Sequence, residues 1–177
     1  MRSGKDPASS PVRAAMARRA IGWLLMLFTL ALVGCDHATK AVAEATLGGR
    51  GAVNVIPGVL DLQYAENRDT AFSLLRGHSF EGKAVVLALM ATAALAVVLY
   101  AWWRHRRSAI AEQAAYALIV AGALGNVIDR VRRGYVVDFI KLPRWPVFNV
   151  ADIAVVAGGL LLMLVMLRKP RVLAPPL

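Results

Sequence analysis

Four stretches of the chain are apolar over lengths that a soluble surface helix does not need. Residues 20–35 run without a charge until Asp36, and Ala38, Ala41, Val42, Ala43 and Ala45 allow that helix to continue. Residues 84–103 also carry no charge. As a helix they span about 30 Å, and they end on Trp102 and Trp103, as interfacial aromatic residues do. Residues 114–128 are rich in small side chains and are broken by Asn126. Residues 150–167 hold Asp152 near their start and Gly158-Gly159 in their middle. The pattern predicts an all-α membrane domain of four spans over residues 20–168.

Between the first two spans the period changes. Leu60, Leu62 and Tyr64 alternate with Asp61 and Gln63, the period of a half-buried strand, and Ile56-Pro57-Gly58 reads as a turn before it. A small β element, a sheet in this first outer loop, is therefore expected on the outer membrane face. The segment 129–149 mixes Arg130, Arg132 and Arg133 with Tyr135, Val136, Val137, Phe139, Trp145 and Phe148, and reads as interfacial. Residues 1–19, polar and basic, read as a disordered cytoplasmic tail, and 169–177 as a second, short one.

Composition supports the membrane reading. The chain has 177 residues, 58% of them hydrophobic, and a net charge of +10. Such a charge can mark a nucleic-acid binder, but here the bases cluster at the ends of apolar segments, where anionic headgroups would meet them. Nucleic acid is therefore not an expected partner, whereas membrane lipids are. Arg2, Lys5, Arg13, Arg18, Arg19, Arg104, Arg106, Arg107, Arg168, Lys169 and Arg171 lie in the tails and the loop after the second span, against only Asp6 and Glu112. The positive-inside rule then puts both termini in the cytoplasm, with Arg130, Arg132 and Arg133 as a minority on the other side. The single cysteine, Cys35, rules out an intramolecular disulfide, and His37, His78 and His105 are too scattered for a metal site.

Arg18-Arg19, an apolar stretch and Leu32-Val33-Gly34-Cys35 together have the outline of a lipoprotein signal peptide. The remainder of the chain argues against that reading. Three more spans are not a soluble mature domain, and cleavage before Cys35 would discard the first span.

Ionisable residues at span ends are costly and point to function. Five clusters stand out. Asp36 and Lys40 are four apart on one helical face and can form an interfacial pair. Asn67-Arg68-Asp69-Thr70-Ala71-Phe72 could be a polar loop. Gly122, Asn126 and Asp129 share a face on which small residues allow close packing and the amide can bond between helices; beside them, Asp129 and Arg130 read most simply as a local ion pair. Asp138 is flanked by Val136, Val137, Phe139 and Ile140, which is unusual for a solvated loop acid. Asn149 could cap the last span, with Asp152 completing the capping arrangement. A small transporter could use Asp36, Asp129, Asp138 and Asp152 as a proton or cation path. The outer loop and the clustering of acids at one boundary speak against it.

Taken together, in this order and around four spans, the five clusters resemble the lipoprotein signal peptidases. That family carries Asp-x-x-Thr/Ser-Lys, Asn-x-Gly-x-Ala-Phe, Gly-Ala-x-Gly-Asn-x-x-Asp-Arg, Val-Val-Asp-Phe and Phe-Asn-x-Ala-Asp, and the likeness runs from about Asp36 to Asp152. The departure is Asp69, where the family usually has glycine. The resemblance implies an aspartic endopeptidase of the bacterial inner membrane that needs no cofactor or metal. It would cut diacylglyceryl-modified prolipoproteins before the lipidated cysteine, at a site near the outer face, with a monomer favoured. It implies catalytic roles for Asp138 and Asp152, and supporting or substrate-binding roles for Asp36, Lys40, Asn67, Asn126, Asp129, Arg130 and Asn149. Desolvation of Asp138, together with the N–H groups of a first helical turn around Asp152, leads to the expectation that Asp138 holds a shared proton and Asp152 is the charged base.

Overall fold

The structure, a computed structural model, describes residues 11–69 and 82–168. Its elements in chain order are helix α1 (Pro11–Leu47), strands β1 (Val53–Ile56) and β2 (Leu60–Asn67), helices α2 (Lys83–Arg104) and α3 (Ile110–Arg133), strand β3 (Val136–Lys141) and helix α4 (Val150–Arg168). All four helices are long and apolar enough to cross a membrane. Their outer faces carry exposed side chains such as Leu24, Leu27, Leu89, Val97, Val156 and Leu167, the surface that lipid tails cover.

Helix α1 extends beyond the apolar run in both directions. Residues 11–19, expected in a disordered tail, are its first turns. Ala14, Ala15, Met16, Ala17, Arg18 and Arg19 are all strong helix formers, and a proline at the first position costs no hydrogen bond. Residues 1–10 and the expected tail 169–177 lie outside the described residues. Cys35 sits well inside α1 with its side chain exposed.

Helix α3 is in contact with each of the other three helices. Lipid tails are as apolar as leucine, so helix association in a bilayer rests on close packing and interhelical hydrogen bonds. Small residues supply the packing. A Cβ on Gly122 would lie 2.2 Å from the carbonyl oxygen of Ala151 in α4, and one on Gly158 would lie 2.7 Å from a side-chain carbon of Ile119. These contacts bring α3 and α4 together along their lengths.

The sheet is antiparallel in the order β1-β2-β3. The small sheet expected in the loop after the first span forms as a hairpin of β1 and β2, and its turn holds Gly58 at φ 71°. The third strand comes from the segment between α3 and α4, whose sequence suggests only an interfacial stretch. α3 stops at Gly134, whose φ of 77° suits the left-handed cap; its N–H bonds the carbonyl of Arg130 at 3.0 Å. The chain then turns back as β3, with Asp138 opposite Ala65 and Val136 opposite Asn67. Val136 and Val137 are buried, so the run around Asp138 is a buried strand.

Gly122→Ala is expected to destabilise the fold by about 1–3 kcal/mol, the usual cost of overpacking. Gly159→Ala, where an added Cβ meets nothing within 4 Å, should be neutral or slightly stabilising. Melting curves of the two variants in one detergent check the difference, and equal melting temperatures would contradict the packing described.

Candidate functional site

The polar residues picked out along the sequence converge where α1, α3, α4 and the sheet meet. At the centre is Lys40, fully buried. Its Nζ lies 2.7 Å from Asp36 Oδ2, 2.8 Å from Asp129 Oδ2 and 3.1 Å from Asn126 Oδ1. The ammonium donates a hydrogen bond to the Asn126 amide oxygen and forms ion pairs with the two carboxylates. Asp36 and Lys40 do pair four apart, as their spacing predicts. The pair is buried in the bundle, however, and not interfacial, because α3 closes over it: a Cβ on Gly125 would meet Asp36 Oδ2 at 2.6 Å. The other oxygen of Asp36 accepts the N–H of Ala151 at 3.0 Å and ties α1 to the start of α4.

Asp129 does not form the local pair with Arg130 that adjacency implies. It turns inward to Lys40, with Arg133 Nε at 3.7 Å and His37 Nδ1 at 3.8 Å. Arg130 points the other way, donating to the carbonyls of Asn126 at 3.3 Å and Asp69 at 3.4 Å. Successive helical residues point about 100° apart, so neighbours in sequence take different sides of α3.

Asn126 passes the network on. Its Oδ1 accepts from Lys40 and from Asn149 Nδ2 at 3.1 Å each, and its Nδ2 donates to Asp152 Oδ1 at 2.9 Å. With donors on one side and a carboxylate on the other, only one orientation of the amide fits. The capping arrangement expected for the last span also forms. Asn149 Oδ1 accepts the N–H of Asp152 at 3.0 Å, and Asp152 Oδ2 accepts the N–H of Asn149 at 3.2 Å. Asp152 is thus a helix cap and also a residue that faces the site.

Asp138 accepts from Asn149 Nδ2 at 2.7 Å on one oxygen and from Asn67 Nδ2 at 2.9 Å on the other. Burial pushes its carboxyl up to about 7; the neighbouring charge of Asp152 adds to the rise, while the two amides and Lys40 oppose it. Phe148 holds the geometry by exchanging backbone hydrogen bonds with Ile140 at 2.8 and 2.9 Å, which sets Asn149 beside β3. Asp138 and Asp152 line one cavity of about 390 Å³ with Asn67, Asn126 and Arg130. Its remaining walls include Trp145, Pro146, Val155 and Val156. Trp145 and Val156 are themselves about 60% exposed, so the cavity opens on the apolar outside of the bundle.

The structure therefore brings together all nine residues singled out as catalytic or supporting. Several partners carry no signal in the sequence. Lys83, at the start of α2, forms an ion pair with Asp69, and the Asp69 N–H donates to Asn67 Oδ1 at 3.0 Å. The aspartate at this unusual position thus has a counter-charge of its own. Thr70, Ala71 and Phe72 of the same cluster, and His78, lie outside the described residues. Arg68 lies 4.9 Å over the ring of Tyr135. Among the described residues no group of three His, Cys, Asp or Glu is placed to hold a metal ion.

Four spans, a small antiparallel sheet and two carboxylates lining one cavity define a multi-pass membrane protein with the makings of a hydrolase. The profile of the family described as signal peptidase (SPase) II matches residues 28–168, and the chain belongs to that family. It is 40% identical over 144 residues to the lipoprotein signal peptidase of Geobacter sulfurreducens, covering 79% of this chain and 89% of that one. To the lipoprotein signal peptidase of Syntrophomonas wolfei it is 43% identical over 138 residues, covering 78% and 89%. A bacterial membrane enzyme solved by the in meso method at 1.9 Å superposes with a TM-score of 0.73 at 28% identity, over 83% of this chain and 94% of that one. The chain is thus a multi-pass bacterial membrane protein of a lipoprotein-processing peptidase family.

Lys40→Met should be the most damaging single change in the buried network. It leaves Asp36 without its cation and Asp129 with only the more distant Arg133, a loss of about 3–5 kcal/mol. Thermal unfolding in detergent should show a large drop in melting temperature, partly recovered in Lys40→Met/Asp36→Asn. An unchanged melting temperature in Lys40→Met would contradict the arrangement.

Proposed function

We propose that the chain is an aspartic endopeptidase that removes the signal peptide from diacylglyceryl-modified prolipoproteins, cutting before the lipidated cysteine, with Asp138 and Asp152 as the catalytic pair. The observation that carries this reading is that two carboxylates from separate elements face one cavity that opens on the lipid-facing surface. A substrate anchored by lipid can then bring its scissile bond in from the bilayer. Family membership supports the substrate class, and the distribution of bases supports cytoplasmic termini and a site near the outer face.

Hydrolysis by such a pair needs one carboxylate to take a proton from water and one carboxylic acid to give a proton to the peptide carbonyl oxygen. In our reading Asp138, the more deeply buried of the two, holds the shared proton, and Asp152 is the base. Water attacks the carbonyl carbon as Asp152 accepts its proton and Asp138 protonates the carbonyl oxygen. Collapse of the resulting diol returns one hydroxyl proton to Asp138 and breaks the C–N bond, and the proton taken by Asp152 passes to the departing amine of the cysteine. Asn67 and Asn149 orient Asp138, and Asn126 and the helix cap orient Asp152. Asp36, Lys40 and Asp129 act through this scaffold, and Arg130 lines the cavity as a donor for substrate.

Asp138→Asn and Asp152→Asn are each expected to abolish cleavage of a diacylglyceryl prolipoprotein by purified protein, read as a gel shift, while the variants remain inserted and folded. Near-normal turnover in either folded variant would sink the assignment. Activity should also fall as pH rises through about 7, where Asp138 loses its proton. Asn67 donates to Asp138 and so favours its ionised form. Asn67→Leu should therefore move the alkaline limb of the kcat profile to higher pH, and a shift to lower pH would reverse the roles of the two acids.

A further inference from the structure

A second cavity lies at the end of the bundle opposite the aspartates. Along α1 it is bounded by Arg18, Ile21, Gly22 and Leu25, and across from them by Arg106, Arg107, Ser108, Ala109, Ile110 and Gln113. Arg18 and Lys40 are 22 residues apart on one helix, so about 33 Å separates this cavity from the buried lysine. Its volume is about 240 Å³.

Three arginines border this space, and among the described residues no acid lines it. Glu112, one position before Gln113, is buried and paired with His105 at 2.9 Å. Like charges around one small cavity repel unless an anion lies between them. The setting is also built. Arg106 is fixed by Nη1 on the carbonyl of Trp103 at 2.9 Å and by its position 4.9 Å over the Trp103 ring. Gln113 accepts from Trp102 Nε1 at 2.6 Å and donates to Ser108 Oγ at 3.1 Å and to the carbonyl of His105, which holds the α2–α3 turn in shape. The lining changes character with depth. Arginines and Ser108 stand at the end of the bundle, while Ile21 and Leu25 continue down α1 into the apolar zone. That gradient matches a molecule with an anionic head and an apolar tail, and a soluble anion would have no use for the apolar half.

We propose that this cavity between the start of α1 and the α2–α3 turn is a binding site for an anionic phospholipid, its phosphate held by Arg18, Arg106 and Arg107 and its acyl chain lying along Ile21 and Leu25. The site is separate from the two aspartates and does not depend on the reaction assigned to them. The lipid joins α1 to the α2–α3 turn, two parts of the chain that otherwise present like charges to each other.

The full chain in a neutral detergent is titrated with phosphatidylglycerol, and in parallel with phosphatidylcholine and with inorganic phosphate. Binding is read by native mass spectrometry and by the melting temperature. Phosphatidylglycerol is expected to give one retained lipid and a saturable rise in melting temperature, and the other two probes neither. Arg18→Gln/Arg107→Gln should weaken the phosphatidylglycerol effect tenfold or more. Arg132→Gln, at the far end of α3, should leave it unchanged. Arg107→Gln alone, in the exposed turn, should weaken it severalfold and serves if the double variant folds poorly. Equal responses from wild type and the folded arginine variants would overturn the proposal in favour of unspecific attraction to charge. A rise with inorganic phosphate as large as that with phosphatidylglycerol would overturn it in favour of a soluble anion.

Discussion

One ammonium group, Lys40 Nζ, organises this molecule. A lysine with no exposure inside a membrane bundle is tolerable only if every N–H finds an acceptor and the charge finds a counter-charge. Asn126 accepts a hydrogen bond from it, and Asp36 and Asp129 supply the counter-charge. Two of these partners come from α3, so satisfying the lysine also fixes the crossing of α1 and α3. In a bilayer that constraint has particular force. Apolar faces do not discriminate between helix and lipid, whereas a buried charge does, since only the right neighbour can neutralise it. Asp36 then takes the Ala151 N–H, and Asn126 bonds Asp152, so the same cluster also sets the position of α4.

The proposed reactive groups hang from that frame. Asp152 is held by Asn126 and by its reciprocal cap with Asn149. Asn149 in turn reaches Asp138, which stands on a strand fixed by β2 on one side and by Phe148 on the other. Structural and chemical roles are therefore not alternatives at these positions. The helix cap at Asn149 and Asp152 forms just as a purely structural reading requires, and because it forms, Asp152 faces the cavity. The same logic applies to the small residues. Gly125 is in contact with Asp36, so close packing of α3 and burial of the ion pair are one feature.

Much of this is legible in the sequence because the relevant signals are local or strongly periodic. The four spans follow from apolar length, strand β2 from the alternation after Gly58, and the Asp36–Lys40 pair from a spacing of four. The features that escape a sequence reading depend on contacts between distant parts of the chain. The run Val136-Val137-Asp138-Phe139-Ile140 has no period of two because both of its faces are covered, so it does not read as a strand. Asp129 turns to Lys40, 89 positions away, where adjacency points to Arg130. The Lys83–Asp69 pair joins two residues with no motif in common. At the N-terminus, charge suggests disorder, although alanine and arginine together favour a helix regardless of solvent.

Whether Asp138 and Asp152 share a single proton decides the proposed mechanism. Carboxyl-sensitive infrared spectroscopy of the resting protein near neutral pH tests this directly. A protonated C=O band should be present in the wild type and should vanish in Asp138→Asn. If the band remains in Asp138→Asn and disappears in Asp152→Asn, the roles given to the two acids are reversed. If the wild type shows no such band at any pH below 7, the pair does not hold a proton and the proposed mechanism fails.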